Sequence, residues 1–226
     1  MIVLGIETAT DVCAVAVLRD GDVLASASVR VPRSHATRLA PLVEQTLGHA
    51  RLAPADVGLV AVSAGPGSYT GLRIGAALAR GLCLATGARL VGVGTLDALM
   101  DEAFAHLVGT ESVLVALPSR RGEVYVAMDD LDGRRIRPQA VALTDLEALV
   151  GPVLPDGHTL WVAGAGAPAV LDAIGSRLPL LQLVVHPSAE RVARLGLERF
   201  ESGAAAGPEA FAPLYLGSFV GAPPAR

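Results

Sequence analysis

The chain predicts an α/β fold built twice over, and three observations carry that expectation. The order strand–strand–strand–helix–strand–helix runs through the first half of the sequence and again through the second. Apolar residues make up 52% of the 226 positions and charged ones 18%, enough for a substantial buried core. Short apolar runs of strand length alternate with longer stretches of helical period. The two halves share no detectable wording, so the repeat is one of pattern, and a cleft is expected between them.

Residues 2–6, 12–18 and 23–31 read as strands joined by the turns "ETATD" and "RDGD". An amphipathic helix follows, because Leu39, Leu42, Val43, Thr46, Leu47 and Ala50 recur at i, i+3, i+4, i+7, i+8 and i+11. Ser34 or Thr37 supplies its cap; Pro41 is least costly in a first turn, which favours Thr37. A buried-type strand at 57–63 leads into a glycine-rich loop, a helix over 71–86 and a strand at 89–93. "GTLDALMDEAFAHL" forms a further helix. In the second half, strands at 112–117, 123–129 and 135–142 precede a short helix at 144–150. A strand at 159–163, a helix at 167–175, a strand near 181–185 and a helix at 188–202 complete the order. The proline-rich tail "PEAFAPLYLGSFVGAPPAR" is expected to pack irregularly and then fray.

Composition narrows the chemistry. All eighteen basic residues are arginine, which removes a P-loop lysine, a Schiff-base lysine and a lysine general base. The net charge of -4 argues against capture of nucleic acid by this chain alone. Cys13 and Cys83 each lie in an apolar run and read as buried free thiols of a reducing compartment. The start "MIVLGIETATD" lacks the basic opening of a signal peptide, and no uncharged run reaches membrane-spanning length. A cytoplasmic protein with no membrane contact is expected. The five histidines show no HxxxH or HxxH pairing, so no metal site is expected, and GxSxG is absent.

The stretch "SAGPGSYTGLRIGAALARG", residues 63–81, invites two readings. Gly65, Gly67 and Gly71 give GxGxxxG, which matches neither the Walker loop nor the dinucleotide fingerprint. A generic anion cradle at a helix N-terminus remains open, but spacing favours a tight turn capped by Ser68 or Thr70. The helix behind it is apolar over most of its circumference, with Arg73 and Arg80 as its only charges. Gly71, Gly75, Ala79 and Cys83 form a smooth i, i+4 row beside a ridge of Ile74, Leu78 and Leu82. Such a helix is either wholly internal or covered on its second face by another chain.

Glu7, Thr8, Thr10 and Asp11 form a polar turn after the first strand, where sugar kinases and their relatives hold a nucleotide phosphate; a self-satisfied hairpin turn is the equal alternative. "VAGAGAP" at 162–168 occupies the matching point of the second half, as an adenosine contact or a plain turn. "SRRGEVYVA" at 119–127 reads as a solvated hairpin tip, with an anion or tRNA phosphate contact left open.

"VLGIETAT", "RSHATRLAPLV", "GPGSYTGLRIG", "GEVY" and "APLYL" follow in the order seen in the bacterial TsaB (YeaZ) proteins, and the chain resembles that family over most of its length. The resemblance implies an actin/Hsp70/sugar-kinase-like (ASKHA) fold of two ribonuclease-H-like halves, spanning 1–107 and 108–205, with part of the tail, 206–226, packing back on the first. It implies a non-catalytic activator of the machinery that makes N6-threonylcarbamoyladenosine beside the tRNA anticodon. In that reading the chain pairs with the transferase TsaD, the ATPase TsaE binds the pair, and tRNA is met only through the complex. The family's dimer surface falls on helices 37–50 and 71–86, which nominates Leu39, Leu42, Val43, Thr46, Gly71, Arg73, Ile74, Gly75, Leu78, Ala79 and Leu82. The same surface is expected to self-pair in a homodimer when TsaD is absent.

No catalytic residue is expected and no cofactor is required. Weak ATP or ADP binding would fall to Glu7, Thr8, Thr10, Gly65 and Ser68. Two departures bear on any nucleotide or TsaE-linked role of the second half. Pro118 stands where an aspartate commonly precedes the family's "GEVY" stretch, and Gly217 replaces the arginine of "YLR". The rival readings are an ATP-dependent phosphotransferase or hydrolase working through Glu7 and the 65–71 loop, and a glycoprotease-type peptidase. The scaffold reading predicts that Gly75→Leu overpacks the contact between chains.

Overall fold

The computed structural model describes residues 1–30, 34–107, 112–204 and 211–214. Strands β1 (Ile2–Glu7), β2 (Val12–Arg19) and β3 (Asp22–Arg30) lead to helix α1 (His35–His49). Then come β4 (Leu59–Gly65), α2 (Tyr69–Thr86), β5 (Arg89–Gly94) and α3 (Thr95–Phe104). The second half runs β6 (Ser112–Pro118), β7 (Glu123–Asp130), β8 (Gly133–Ala142), α4 (Leu146–Val150), β9 (Leu160–Ala163), α5 (Ala167–Ile174), β10 (Leu180–Leu183) and α6 (Ala189–Glu201).

The strands form two five-stranded sheets, ordered β3-β2-β1-β4-β5 and β10-β9-β6-β7-β8. In each, three antiparallel strands are extended by two parallel ones. Read from the antiparallel edge, the second order repeats the first, so the pattern repeat in the sequence is a repeat of topology.

Alternation along the strands divides each sheet into two buried faces, as both sides are covered. Leu4, Ile6, Val60 and Val62 pack under α1 and α2. Val3, Leu59, Ala61 and Val91 face the other way, onto Ala189, Val192 and Ala193 of α6. On the second sheet, Leu114, Val126 and Val162 meet α4 and α5, while Val113, Val115 and Leu117 meet Leu96, Leu99 and Met100 of α3. Packing thus exchanges the final helices that chain order assigns to 1–107 and 108–205: α3 lies on the second sheet and α6 on the first. Arg191 of α6 joins Asp101 and Glu102 of α3 at 3.1 and 3.2 Å. Asp97 of α3 is held by Arg134 at 3.0 Å and Arg199 at 2.9 Å. The halves are therefore tied by helices and ion pairs.

Several local expectations shift. α1 starts at His35 with Ser34 at its cap, and Thr37, instead of capping, donates its hydroxyl to the Ser34 carbonyl at 3.0 Å. Pro41 consequently sits inside the helix, on its exposed side. β4 begins two residues later than the 57–63 reading. Of the tail, Phe211 packs against Gly92 in the core under α1 and α2, and the Leu214 amide donates to Ala64 at 2.6 Å. Gly217 lies outside the described residues.

Candidate functional site: a two-helix face beside a cleft

The glycine stretch resolves into a close clasp. The hydroxyl of Ser68 accepts from the Gly71 amide at 3.2 Å and caps α2, as the turn reading requires. The Ser68 amide donates to the Ala9 carbonyl at 2.6 Å, fastening the loop to the β1–β2 turn. A Cβ on Gly67 would stand 2.2 Å from the Ala9 oxygen, one on Gly71 2.0 Å from the Thr8 oxygen, and one on Gly75 2.3 Å from Thr8 Oγ1. The glycines exist because the helix rides directly on this turn. The second half repeats the device more simply: the Gly166 amide donates to the Ala116 carbonyl at 2.9 Å, and Gly164 has φ of 95°.

This placement corrects the surface assignment. Gly71, Gly75 and Ala79 form the inner row of α2, and Leu39, Leu42, Val43 and Thr46 are buried under α1 against the chain's own sheet. All seven are occupied within the chain. Gly75→Leu would therefore disrupt the fold itself before any contact between chains. Of the nominated residues, Arg73 is exposed and Ile74, Leu78 and Leu82 are half-buried. The outward side adds Ala77, Gly81 and Leu84, which sequence spacing did not single out; Leu84 is 67% exposed. A groove of about 390 Å³ runs between the helices, with Ala40 and Gly48 of α1 facing Leu78 and Leu82 of α2.

Beside this face opens the expected cleft, about 810 Å³, between the halves. Its first-half wall carries Thr10, Asp11, Ser68 and Thr70; its second-half wall is Leu117, Pro118 and Ala165. Of the residues nominated for nucleotide, Thr10 and Ser68 line the cleft, whereas Glu7 and Thr8 are fully buried beneath it. Gly65 is also buried, its Cβ position filled by the Leu214 carbonyl at 2.4 Å. Burial pushes the Glu7 carboxyl up from 4.5 to about 7, against hydrogen bonds from the Ala9 amide, the Ser63 hydroxyl and the Thr10 amide. The Ala9 bond is 2.6 Å long. Glu7 thus organises the turn from below and does not reach the cleft.

The remaining chemistry is quiet. Burial raises both Cys13 and Cys83 to about 11, with the Glu7 charge adding to Cys13, so neither thiol ionises near neutrality. Arg120 pairs with Glu123 at 2.7 Å across the hairpin tip, matching the bland reading of "SRRGEVYVA". Among the described residues no three His, Cys, Asp or Glu side chains converge for a metal, and no helix is long and apolar enough to cross a membrane.

Comparison with known proteins agrees with this geometry. The family model "TsaD: tRNA N6-adenosine threonylcarbamoyltransferase" matches residues 29–159. The Escherichia coli "tRNA threonylcarbamoyladenosine biosynthesis protein TsaB" is 32% identical, covering 96% of this chain and 94% of its own. YeaZ from Pseudomonas aeruginosa superposes with a TM-score of 0.81 at 27% identity, over 95% of this chain and 99% of its own. A glucokinase of the ROK family from Streptomyces griseus reaches a TM-score of 0.51 at 11% identity, covering 88% of this chain and 100% of its own, a likeness of fold alone. The doubled sheet topology is accordingly that of the ASKHA group. An identity of 32% over nearly the full length of one relative and a near full-length superposition on another converge, and this chain belongs to the TsaB (YeaZ) family.

Proposed function

We propose that this chain serves the formation of N6-threonylcarbamoyladenosine in tRNA as a non-catalytic subunit. It pairs one-to-one with a TsaD-type transferase through the outward face of α1 and α2, TsaE joins the pair, and tRNA is met only through the complex. Alone, the same face pairs with a second copy. Family membership supplies the pathway. The observation that carries the partner role is the apolar side of α2, where the half-buried ridge Ile74–Leu78–Leu82 adjoins the exposed Ala77, Gly81 and Leu84, beside a groove whose walls are almost wholly apolar. No cofactor is required for this role.

Ala77 tests the reading better than Gly75, because it is exposed at the middle of the outward strip. Ala77→Gln keeps helix propensity and charge but lifts an approaching helix off the face. Pairing with the organism's TsaD-type protein, followed by light scattering and calorimetry, is expected to weaken about thirtyfold or more. The unfolding midpoint of the isolated chain should hardly move, since a surface substitution changes stability by about 0.5 kcal/mol at most. Undiminished pairing would place the partner surface elsewhere.

A second reading, weak ATP or ADP binding in the cleft, rests on the hydroxyls of Thr10, Ser68 and Thr70 along one wall. The opposite wall offers only apolar side chains, so phosphate recognition would come from one side. Calorimetric titration with ATP should show weak binding that Thr10→Ala reduces; absence of heat at millimolar ATP would end this reading.

A further inference from the structure

The tail returns to the first half at the root of the glycine loop. There the ladder from β4 to β5 carries a bulge: Ser63 pairs with Val93 and Gly65 with Gly94, which leaves Ala64 as the extra residue. The Ala64 carbonyl takes its hydrogen bond from the Leu214 amide, at 2.6 Å. The Phe211 ring is buried over Gly92, where a Cβ would stand 2.7 Å from its Cε2. The Leu214 carbonyl covers Gly65, where a Cβ would stand 2.4 Å from its oxygen. Two glycines of the sheet thus leave room for two residues of the tail.

The loop that begins at Gly65 carries Ser68 and Thr70 of the cleft wall. Its far end is fastened to the β1–β2 turn by the Ser68 bond to Ala9, and its near end by Leu214. The second fastening is small. Phe211 is the one buried side chain of residues 211–214; Ala212 and Leu214 are exposed and Pro213 is half-buried. Among the described residues, the segment's one backbone hydrogen bond is that from Leu214. A segment held by one ring and one hydrogen bond opens at far lower cost than strands whose side chains are buried on both faces. We infer that residues 211–214 form a releasable strap. Docked, the strap fixes the glycine loop and with it the first-half wall of the cleft; released, it frees that loop while the sheets stay folded. Tension on the tail from beyond Leu214 is then passed to the cleft and to the first turn of α2. This rests on no reading of what the cleft binds or of which chain meets α1 and α2.

Hydrogen exchange of the full chain, read by mass spectrometry, tests the strap. Leu214→Pro removes the donor and keeps the ring, whereas Phe211→Ala removes the ring and keeps the donor. Each should speed exchange of the 65–72 amides about tenfold and reach the 8–11 turn through the Ser68 bond. The β7–β8 hairpin, 123–142, should exchange as in the wild type. In the wild type, the Leu214 amide should exchange well ahead of the amides of β1 and β4. Val17→Ala controls for simple loss of stability: it lies in the same core cluster, with β1 and β4 between its strand and β5. That variant should raise exchange across the first sheet with no local excess at 65–72.

Thermal melts verify that each variant folds. Unchanged protection of 65–72 in both tail variants would mean that the loop does not depend on the tail. A rise spread evenly over the first sheet, as Val17→Ala gives, would make Phe211 ordinary core packing. A Leu214 amide that exchanges only with global unfolding would remove the release. Any of these three outcomes overturns the strap.

Discussion

Gly71→Ala should lower the thermal unfolding midpoint by about 4–12 °C. The added methyl has no space, because its position lies 2.0 Å from the Thr8 carbonyl oxygen, and a backbone acceptor cannot rotate away as a side chain could. Either α2 lifts from the β1–β2 turn, stretching the 2.6 Å bond from Ser68 to Ala9, or the turn moves and carries the Ala9 amide away from Glu7. Overpacking of this kind costs about 3 kcal/mol, and each kcal/mol is worth about 2–4 °C in a chain of this size. The better helix propensity of alanine returns at most about 1 kcal/mol. Gly81 on the same helix supplies the control, since a Cβ there meets nothing within 4 Å. Gly81→Ala should leave the midpoint unchanged or raise it slightly. Equal, small effects at both positions, measured by calorimetry, would mean that α2 does not ride on the turn.

That contrast also explains what the sequence made legible. Spacing at i, i+4 correctly grouped Gly71, Gly75 and Ala79 on one side of α2, but periodicity does not say whether a side faces in or out. A row of small residues suits a neighbouring backbone equally well whether that backbone is the chain's own turn or another helix. The same ambiguity covers Leu39, Leu42, Val43 and Thr46, whose period announces a buried stripe and whose burial is internal. Strand order was readable because each strand carries its own apolar pattern. The exchange of α3 and α6 was not, because an amphipathic helix records that it has a sheet to cover and not which one. Glu7 did carry a usable signal. β1 runs through residue 7, one place beyond the sequence reading, and alternation then puts Glu7 on the same buried face as Val3 and Gly5, the one that α6 covers.

The buried carboxyl at that place makes the second large prediction. Glu7 titrates at 4.5 when unfolded and at about 7 in the fold, where burial disfavours its charged form. Below pH 4.5 both states hold the proton and the residue contributes no penalty. Between 4.5 and about 7 the unfolded chain releases the proton while the folded chain retains it, so folding loses stability as pH rises. Above about 7 the loss is complete, about 3 kcal/mol at about 1.4 kcal/mol per pH unit. Glu7→Gln removes this titration while leaving Oε1 to accept the Ala9 amide. The stability of the variant relative to the wild type should therefore climb by about 3 kcal/mol between about pH 4.5 and about pH 8, whatever its absolute value at either end. Other carboxylates titrate in both proteins and cancel in the difference, and Cys13, at about 11, lies outside the window. Urea unfolding at half-unit steps of pH measures this directly; a flat difference would mean that Glu7 is ionised and solvated in the fold. A climbing one identifies a residue retained despite its cost at neutral pH, which fits a carboxyl that holds the turn beneath Thr10 and not an acid that works in the cleft.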